Sequence, residues 1–354
     1  MSKHRETNAF CLLPTADLQA DVDFFISTAG FQLKELYPAD SPEVAELVGF
    51  GLSIRLDSSF KGGAPTLVIK TENDVRPTAR SPGGVEVRWE RYRESVVQSL
   101  ESHQLEICTL RGTPWVRGKA GTQTRDLIPS RLGGGMVATH IRIPNGGPVS
   151  DQVHYHTANF QLVFCVRGWI TLVYEDQGQP ITLQAGDCVT QPPHIRHKVL
   201  ETSNGLEVLE IGMPAEHVTA IDNDMSLPNT RVDSHRLFDG QRFCHHELSK
   251  AQWQPHRLPG FAACDTGVSV ASAGAVGASV VKAANTLPAA YTVTHNATVL
   301  FSYVLAGSLR IDQQLLVAGD AFTLPPGESR RIGDISEDVQ ILELSVPGTF
   351  RTLV

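Results

Sequence analysis

No stretch of about eighteen consecutive apolar residues occurs in the sequence, and its first residues, MSKHRETNAF, lack an apolar core of signal-peptide length. A helical membrane span and an exported precursor are therefore not expected, and a cytoplasmic location is. Positive charge is in deficit: 30 Lys and Arg stand against 38 Asp and Glu, a formal net charge of −8. Nothing in that balance attracts a polyanion, so neither nucleic acid nor an anionic membrane is an expected partner. The six cysteines (Cys11, Cys108, Cys165, Cys188, Cys244, Cys264) form no C-x-x-C pair and no dense disulfide spacing, which fits a reducing compartment. There is no G-x-S-x-G elbow, no Walker-type phosphate loop and no H-E-x-x-H helix. The GGG of Gly133–Gly135 lacks the following helix that a dinucleotide site needs, and reads as a turn.

What is present is an ordinary globular composition, 41% hydrophobic and 19% charged, over 354 residues. That length suits two or three domains. An apolar run at Ala9–Leu13 is followed by Asp17–Ala29, where Leu18, Val22, Phe25 and Ala29 recur at helical spacing and Gly30 stands where a helix cap belongs. Three strand-like pieces follow, FQLKELY, VGFGLSIRL and PTLVIK, so a small α+β module of β-α-β-β-β order is expected over residues 1–80. The stretch TADLQADVDFFISTAGFQL resembles one half of the vicinal-oxygen-chelate (glyoxalase-like) fold. That family builds metal sites from paired modules; a single module without a His/Glu ligand set implies a structural or dimerising role. Residues 71–84 read as a linker, and VEVRWERYRESVVQSLESHQ (85–104) as a charged helical stretch.

From Glu106 onward the texture is β-rich, with short runs separated by Gly, Pro and Asp turns. Two segments echo each other: VFCVRGWITLVYEDQGQPITLQAGDCVTQPPHIRH and SYVLAGSLRIDQQLLVAGDAFTLPPGESRR. In each a strand ends in glycine (Gly168, Gly307), and Ala-Gly-Asp leads by the same spacing to Pro-Pro. The expectation is an internal duplication with one antiparallel barrel per copy, over 81–220 and 221–354.

The chemistry centres on HYHTANFQ. Side chains alternate along a strand, so His154 and His156 face the same way, and His197, beyond the Gly186-Asp187 turn, can reach them if the sheet closes. Imidazole binds Zn, Fe, Ni and Cu, and three of them leave coordination positions open for substrate. His154, His156, Gln161, Gly168, Gly186, Pro192 and His197 fall in register with the two motifs of the cupin superfamily, which this region resembles. The resemblance implies double-stranded β-helix (jelly-roll) barrels, a mainly β protein, and one divalent ion per chain held by His154, His156 and His197. Gln161 stands where the family usually places an acidic ligand. An amide oxygen can coordinate or hydrogen-bond a bound ligand but carries no charge, so the ion keeps its full charge and favours an anionic chelating substrate. The duplicate carries Val293, His295, Leu300 and Arg330 at the matching positions, and a complete second metal site is not expected.

Other candidates for the pocket are His140 and Arg142, which share one face of MVATHIRIP with Met136 and Ala138. Facing the barrel mouth, Arg142 would clamp a carboxylate and His140 would act as acid or base. Cys165 continues the Gln161 face into the cavity. His194 replaces the family's usual glycine and reads as a loop residue, while the neighbours His245 and His246 face oppositely and read as surface or loop. The resulting expectation is an Fe(II) dioxygenase of a small anionic aromatic or dicarbonyl compound, with iron favoured by the resemblance and Zn, Ni or Mn left open. The alternatives are a redox-neutral metal-dependent isomerase or lyase, and a non-enzymatic small-ligand-binding cupin. Unpaired sheet edges make a homodimer the expected assembly.

Overall fold

The computed structural model describes residues 9–38, 42–71, 76–91, 103–118, 121–284 and 286–354, and the chain divides into two compact units after Glu94. None of the described helices is long and apolar enough to cross a membrane.

In the first unit, strand Cys11–Pro14 leads to helix Leu18–Phe24, which runs on as a π-helical turn, Phe25–Ala29. The Asp17 carboxylate caps the helix by accepting from Ala20 N at 3.1 Å, and Gly30 ends it in the left-handed region at φ 86°. Strands Gln32–Tyr37, Val44–Gly49 and Leu52–Asp57 complete a four-stranded sheet with Gln32–Tyr37 at one edge. Leu13, Phe25, Leu47, Ile54 and Leu56 form its core. Two expectations are corrected here. VGFGLSIRL is not one strand, because Phe50 and Gly51 both take positive φ and fold it into a hairpin. PTLVIK leaves the first sheet: Thr66–Thr71 pairs in parallel with Glu86–Arg91. The start of the expected charged helix is thus a strand. Val85, Val87 and Trp89 alternate into the core at period two, so the unit runs past the expected limit at residue 80. The rest of that stretch, 92–102, lies outside the described residues.

The second unit is two antiparallel barrels, each a large sheet facing a smaller one. In the first barrel the large sheet runs His245–His246, Cys188–Thr190, Phe160–Arg167, Leu206–Met213, Val137–Ile143, Gln123–Asp126, Val116–Arg117. In the second it runs Trp253–Pro255, Phe261–Asp265, Gly277–Ala283, Gln340–Val346, Val299–Ala306, Ala321–Leu324, Glu106–Cys108. Each sheet therefore ends on a strand from the other half of the chain, so no cut at 220 or 221 separates the barrels cleanly. The large sheets pack against each other through Leu162, Phe164, Leu209 and Ile211 on one side and Phe301, Tyr303, Leu342 and Leu344 on the other. Alternate residues fill the barrel interiors, Val163 and Cys165 in the first and Leu300 and Val304 in the second. Burial on both faces explains why these strands read as unbroken apolar runs.

The repeated Ala-Gly-Asp has a specific task in this exchange. Gly186 and Gly319 turn at φ 93° and 95°, and a Cβ there would lie 2.3 Å from Leu248 and 2.9 Å from Leu110. Both leucines belong to the crossing segments. Asp187 accepts from Gln184 N at 2.9 Å and Leu248 N at 2.8 Å; Asp320 accepts from Val317 N at 2.9 Å and Leu110 N at 2.7 Å. One carboxylate thus closes the turn and fixes the incoming strand.

Inside the second barrel, the Glu343 carboxylate lies against Arg257, which donates to it through Nη1 and Nη2 at 2.5 Å each, and Arg257 Nε donates to Thr352 Oγ1 at 2.8 Å. Burial alone would raise the Glu343 pKa, but Arg257 and His256 bring it down to about 2. Removing one partner leaves a buried unpaired charge. Arg257→Leu is expected to cost about 3–5 kcal/mol in urea unfolding, and Arg257→Leu/Glu343→Leu to recover most of it. Because the folded pKa is depressed, the contribution of Glu343 is complete above its unfolded value of roughly 4.3 and is lost as pH falls toward 2. The pH dependence of unfolding between those values should flatten in the double variant.

Candidate metal centre

His154 and His156 lie on the short strand His154–His156, and His154 stands opposite His197 in antiparallel register. One ligand atom from each of the three falls within 4.8 Å of the others, the single such His/Cys/Asp/Glu cluster among the described residues. Each imidazole is anchored through Nδ1. His154 donates to Gln152 O at 2.8 Å and His197 to Ile195 O at 3.0 Å, while His156 is hydrogen-bonded to the Thr219 hydroxyl at 3.0 Å. The carbonyl partners fix Nε2 as the lone-pair nitrogen of His154 and His197, while the Thr219 hydroxyl holds the His156 ring in place. Burial, reinforced by the neighbouring imidazoles, lowers His197 to about 3 and His156 to about 4. Both are neutral at physiological pH, the form that binds metal. Tyr174 stacks on the His197 ring at 5.5 Å between centroids, and its hydroxyl accepts from Gln191 Nε2 at 3.0 Å.

Gln161, 1% exposed, faces the barrel interior with Val163. Its Nε2 donates to Glu210 Oε1 at 2.6 Å, whereas its buried Oε1 has no partner. An orphaned buried amide oxygen in the barrel that carries three clustered imidazoles suits a divalent cation, and His154, His156, His197 and Gln161 are the residues that could hold one. Burial raises the pKa of Glu210, against the pull of nearby His217, Gln161 and His154.

The remaining expected site residues lie elsewhere. His140 and Arg142 sit on the face of Val137–Ile143 opposite to Ile141 and Ile143, which line the barrel. They face the second barrel, because Met136 and Ala138 on the same face belong to the apolar layer between the two. There His140 is bonded at 3.1 Å to Arg125 and at 2.9 Å to Glu207, and Trp115 lies over the Arg142 guanidinium at 4.1 Å. Their polarity serves the seam between barrels. Cys165 does face inward, but four residues beyond Gln161, roughly 13 Å along the strand. Burial pushes its thiol up to about 12 within an apolar cluster. His194 is a loop residue, with its ring beside Asp239 at 3.5 Å. His245 and His246 are half-buried on the strand that crosses to Cys188–Thr190, not in a surface loop.

Three neighbours of the centre escaped the sequence reading: Glu210, His217, whose ring is 5.6 Å from that of His156, and Tyr174. A signal existed for Glu210. In LEVLEIGM it is an acid flanked by apolar residues and shares the Val208 face, which lines the barrel.

The second barrel repeats the pairing without the ligands: Val293 stands opposite Arg330, as His154 does opposite His197. Arg330 is committed to Asp312 and Glu328, and both ring nitrogens of the buried His295 lack partners.

This architecture is the two-barrel cupin fold, mainly β, joined to a small N-terminal α+β module. Residues 139–212, which contain His154, His156, Gln161, His197 and Glu210, match the sequence family described as Cupin domain. Among solved structures, an oxalate decarboxylase mutant of Bacillus subtilis is similar with a TM-score of 0.52 and 14% identity, over 72% of this chain and 79% of that one. The formate complex of Lactobacillus farciminis oxalate decarboxylase gives a TM-score of 0.51 and 14% identity, over 70% and 87%. No curated protein sequence matches the chain.

If the three imidazoles form one site, His154→Ala/His156→Ala should abolish Mn(II)-dependent thermal stabilisation while leaving the melting temperature of the metal-free protein within a few degrees. Ligand linkage makes the wild-type shift about 2.7 kcal/mol of added stability at a hundredfold excess over Kd. An undiminished shift in the variant would place the metal elsewhere.

Proposed function

We propose that the protein is a metal-dependent bicupin enzyme that cleaves a small chelating carboxylate without net oxidation, in the manner of a lyase. The observation that carries this reading is the donor set: three imidazoles and an amide oxygen, with no carboxylate among them. His154, His156, His197 and Gln161 would hold a divalent ion, which with no carboxylate among its ligands would supply strong Lewis acidity toward an anionic substrate. The protein's own groups do the rest. Backbone carbonyls fix the tautomers of His154 and His197, the Thr219 hydroxyl orients the His156 ring, and Tyr174 closes the wall behind His197.

The fold likeness to oxalate decarboxylases supports a small dicarboxylate or 2-oxo acid, and one of the similar Bacillus subtilis structures is described by its Mn(II) centers. Manganese is accordingly the ion to load first, ahead of iron, zinc and nickel. The assembly we propose is a homodimer through the first unit's edge strand Gln32–Tyr37, which is exposed at every residue. Run antiparallel against itself, QLKELY sets Lys34 opposite Glu35 and Leu33 opposite Leu36.

The Mn(II)-loaded protein, incubated without oxygen, should release CO₂ from a member of a panel of oxalate, 2-oxo, 2-hydroxy and catecholic acids. Strict dependence on O₂ would instead favour an iron dioxygenase, and tight binding without chemical change a receptor. Sedimentation at micromolar concentration should give twice the chain mass, reduced to one by Leu33→Lys/Leu36→Lys; a monomeric wild type would refute the edge-strand dimer.

A further inference from the structure

The duplication places one carboxylate at the same point in both barrels. Glu210 pairs with Thr139 and Val163 on its flanking strands; Glu343 pairs with Ser279 and Ser302. Both point inward, where a bare charge is costly. The second barrel meets that cost with a built-in cation, Arg257, which binds both Glu343 oxygens, and apolar Leu300 occupies the position of Gln161. In the first barrel no lysine or arginine forms a salt bridge with Glu210 among the described residues. Its hydrogen bond is the one from Gln161 Nε2.

Gln161 links this carboxylate to the metal centre. The NH₂ end of an amide is the end that meets an ionised carboxylate, and Oε1, on the other branch, is the buried atom without a partner. We infer that Glu210 is the charge partner of the metal centre: acting through Gln161, it supplies the negative charge that the ligand set lacks, as Glu343 does for Arg257. A carboxylate one hydrogen bond behind the ligand polarises and orients the amide without occupying the coordination sphere. The ion stays a strong Lewis acid while the barrel as a whole remains compensated. Glu210 is on this account a positioning residue. The inference rests on the metal-binding part of the proposed function, not on the reaction.

The experiment is Mn(II) titration of metal-free protein, followed by the EPR signal of the free ion, on wild type, Glu210→Gln and Gln161→Glu/Glu210→Gln. Glu210→Gln keeps the size and an acceptor for Gln161 Nε2 but removes the charge, and should weaken Mn(II) binding about 10–100-fold. The exchange of amide and acid restores one charge to the pair and should return affinity to the wild-type level or tighter; a matching melting temperature for the metal-free forms checks that all fold. Unchanged affinity in Glu210→Gln, or no recovery in the exchanged variant, would overturn the inference. Because the readout is binding, wild type that holds Mn(II) but turns nothing over would sink the lyase reading alone, whereas unchanged Glu210→Gln affinity beside normal turnover would sink this one alone.

Discussion

Burial of the two large sheets against each other is the constraint on which the rest of the second unit depends. Phe160, Leu162 and Phe164 give one face of their strand to the layer between barrels, so only the opposite face, Gln161, Val163 and Cys165, is left for the interior. Chemistry is confined to that face by the strand's period of two. The same rule excludes His140 and Arg142. They carry polar groups suited to catalysis, but their parity with Met136 and Ala138 commits them to the seam, where Arg125, Glu207 and Tyr303 satisfy them. A polar network of this kind is tolerated between two apolar sheets because nearly every member has a partner.

Strand exchange follows from the same packing. The large sheets must be wide enough to cover each other, and each is widened by a strand from the other half of the chain. The Ala-Gly-Asp turns serve both purposes at once, with Gly186 and Gly319 clearing space for Leu248 and Leu110 and Asp187 and Asp320 fixing their backbones. The barrels are therefore not independent modules, which suits a second barrel that keeps the architecture while its counterparts of His154, Gln161 and His197 are Val293, Leu300 and Arg330.

Much of this was legible from sequence where the signal was local or repeated. The duplication, the shared face of His154 and His156 and the correspondence of Val293 with His154 and of Arg330 with His197 follow from period two and from the spacing of glycines. What resisted was long-range. The Gln161 face carries Cys165 inward as its parity implies, but nothing in MVATHIRIP says which of its two faces meets the second barrel, and so the placement of His140 and Arg142 could not be decided. VEVRWE carries alternate apolar residues, but its charges lie at spacings that also suit a helix, and only pairing with Thr66–Thr71 makes it a strand. Glu210 and His217 fall outside the two motifs; one sits on a later strand and the other just beyond it, and tertiary closure brings them to the centre.

Electrostatics then connects the two barrels as alternative solutions to one problem. An inward carboxylate on the strand Leu206–Met213 or Gln340–Val346 is retained in both copies, although an apolar residue would suit either interior. In the second copy the compensating cation is covalently part of the chain, permanent and already coordinated on both carboxylate oxygens. In the first, no arginine or lysine forms a salt bridge with the carboxylate among the described residues; burial raises the Glu210 pKa while nearby His217, Gln161 and His154 pull it down. A divalent ion held at the three imidazoles would supply the positive charge that the first barrel does not build in. That contrast with Arg257 in the second barrel, added to the clustered histidines, is the physical argument for a cation site in the first.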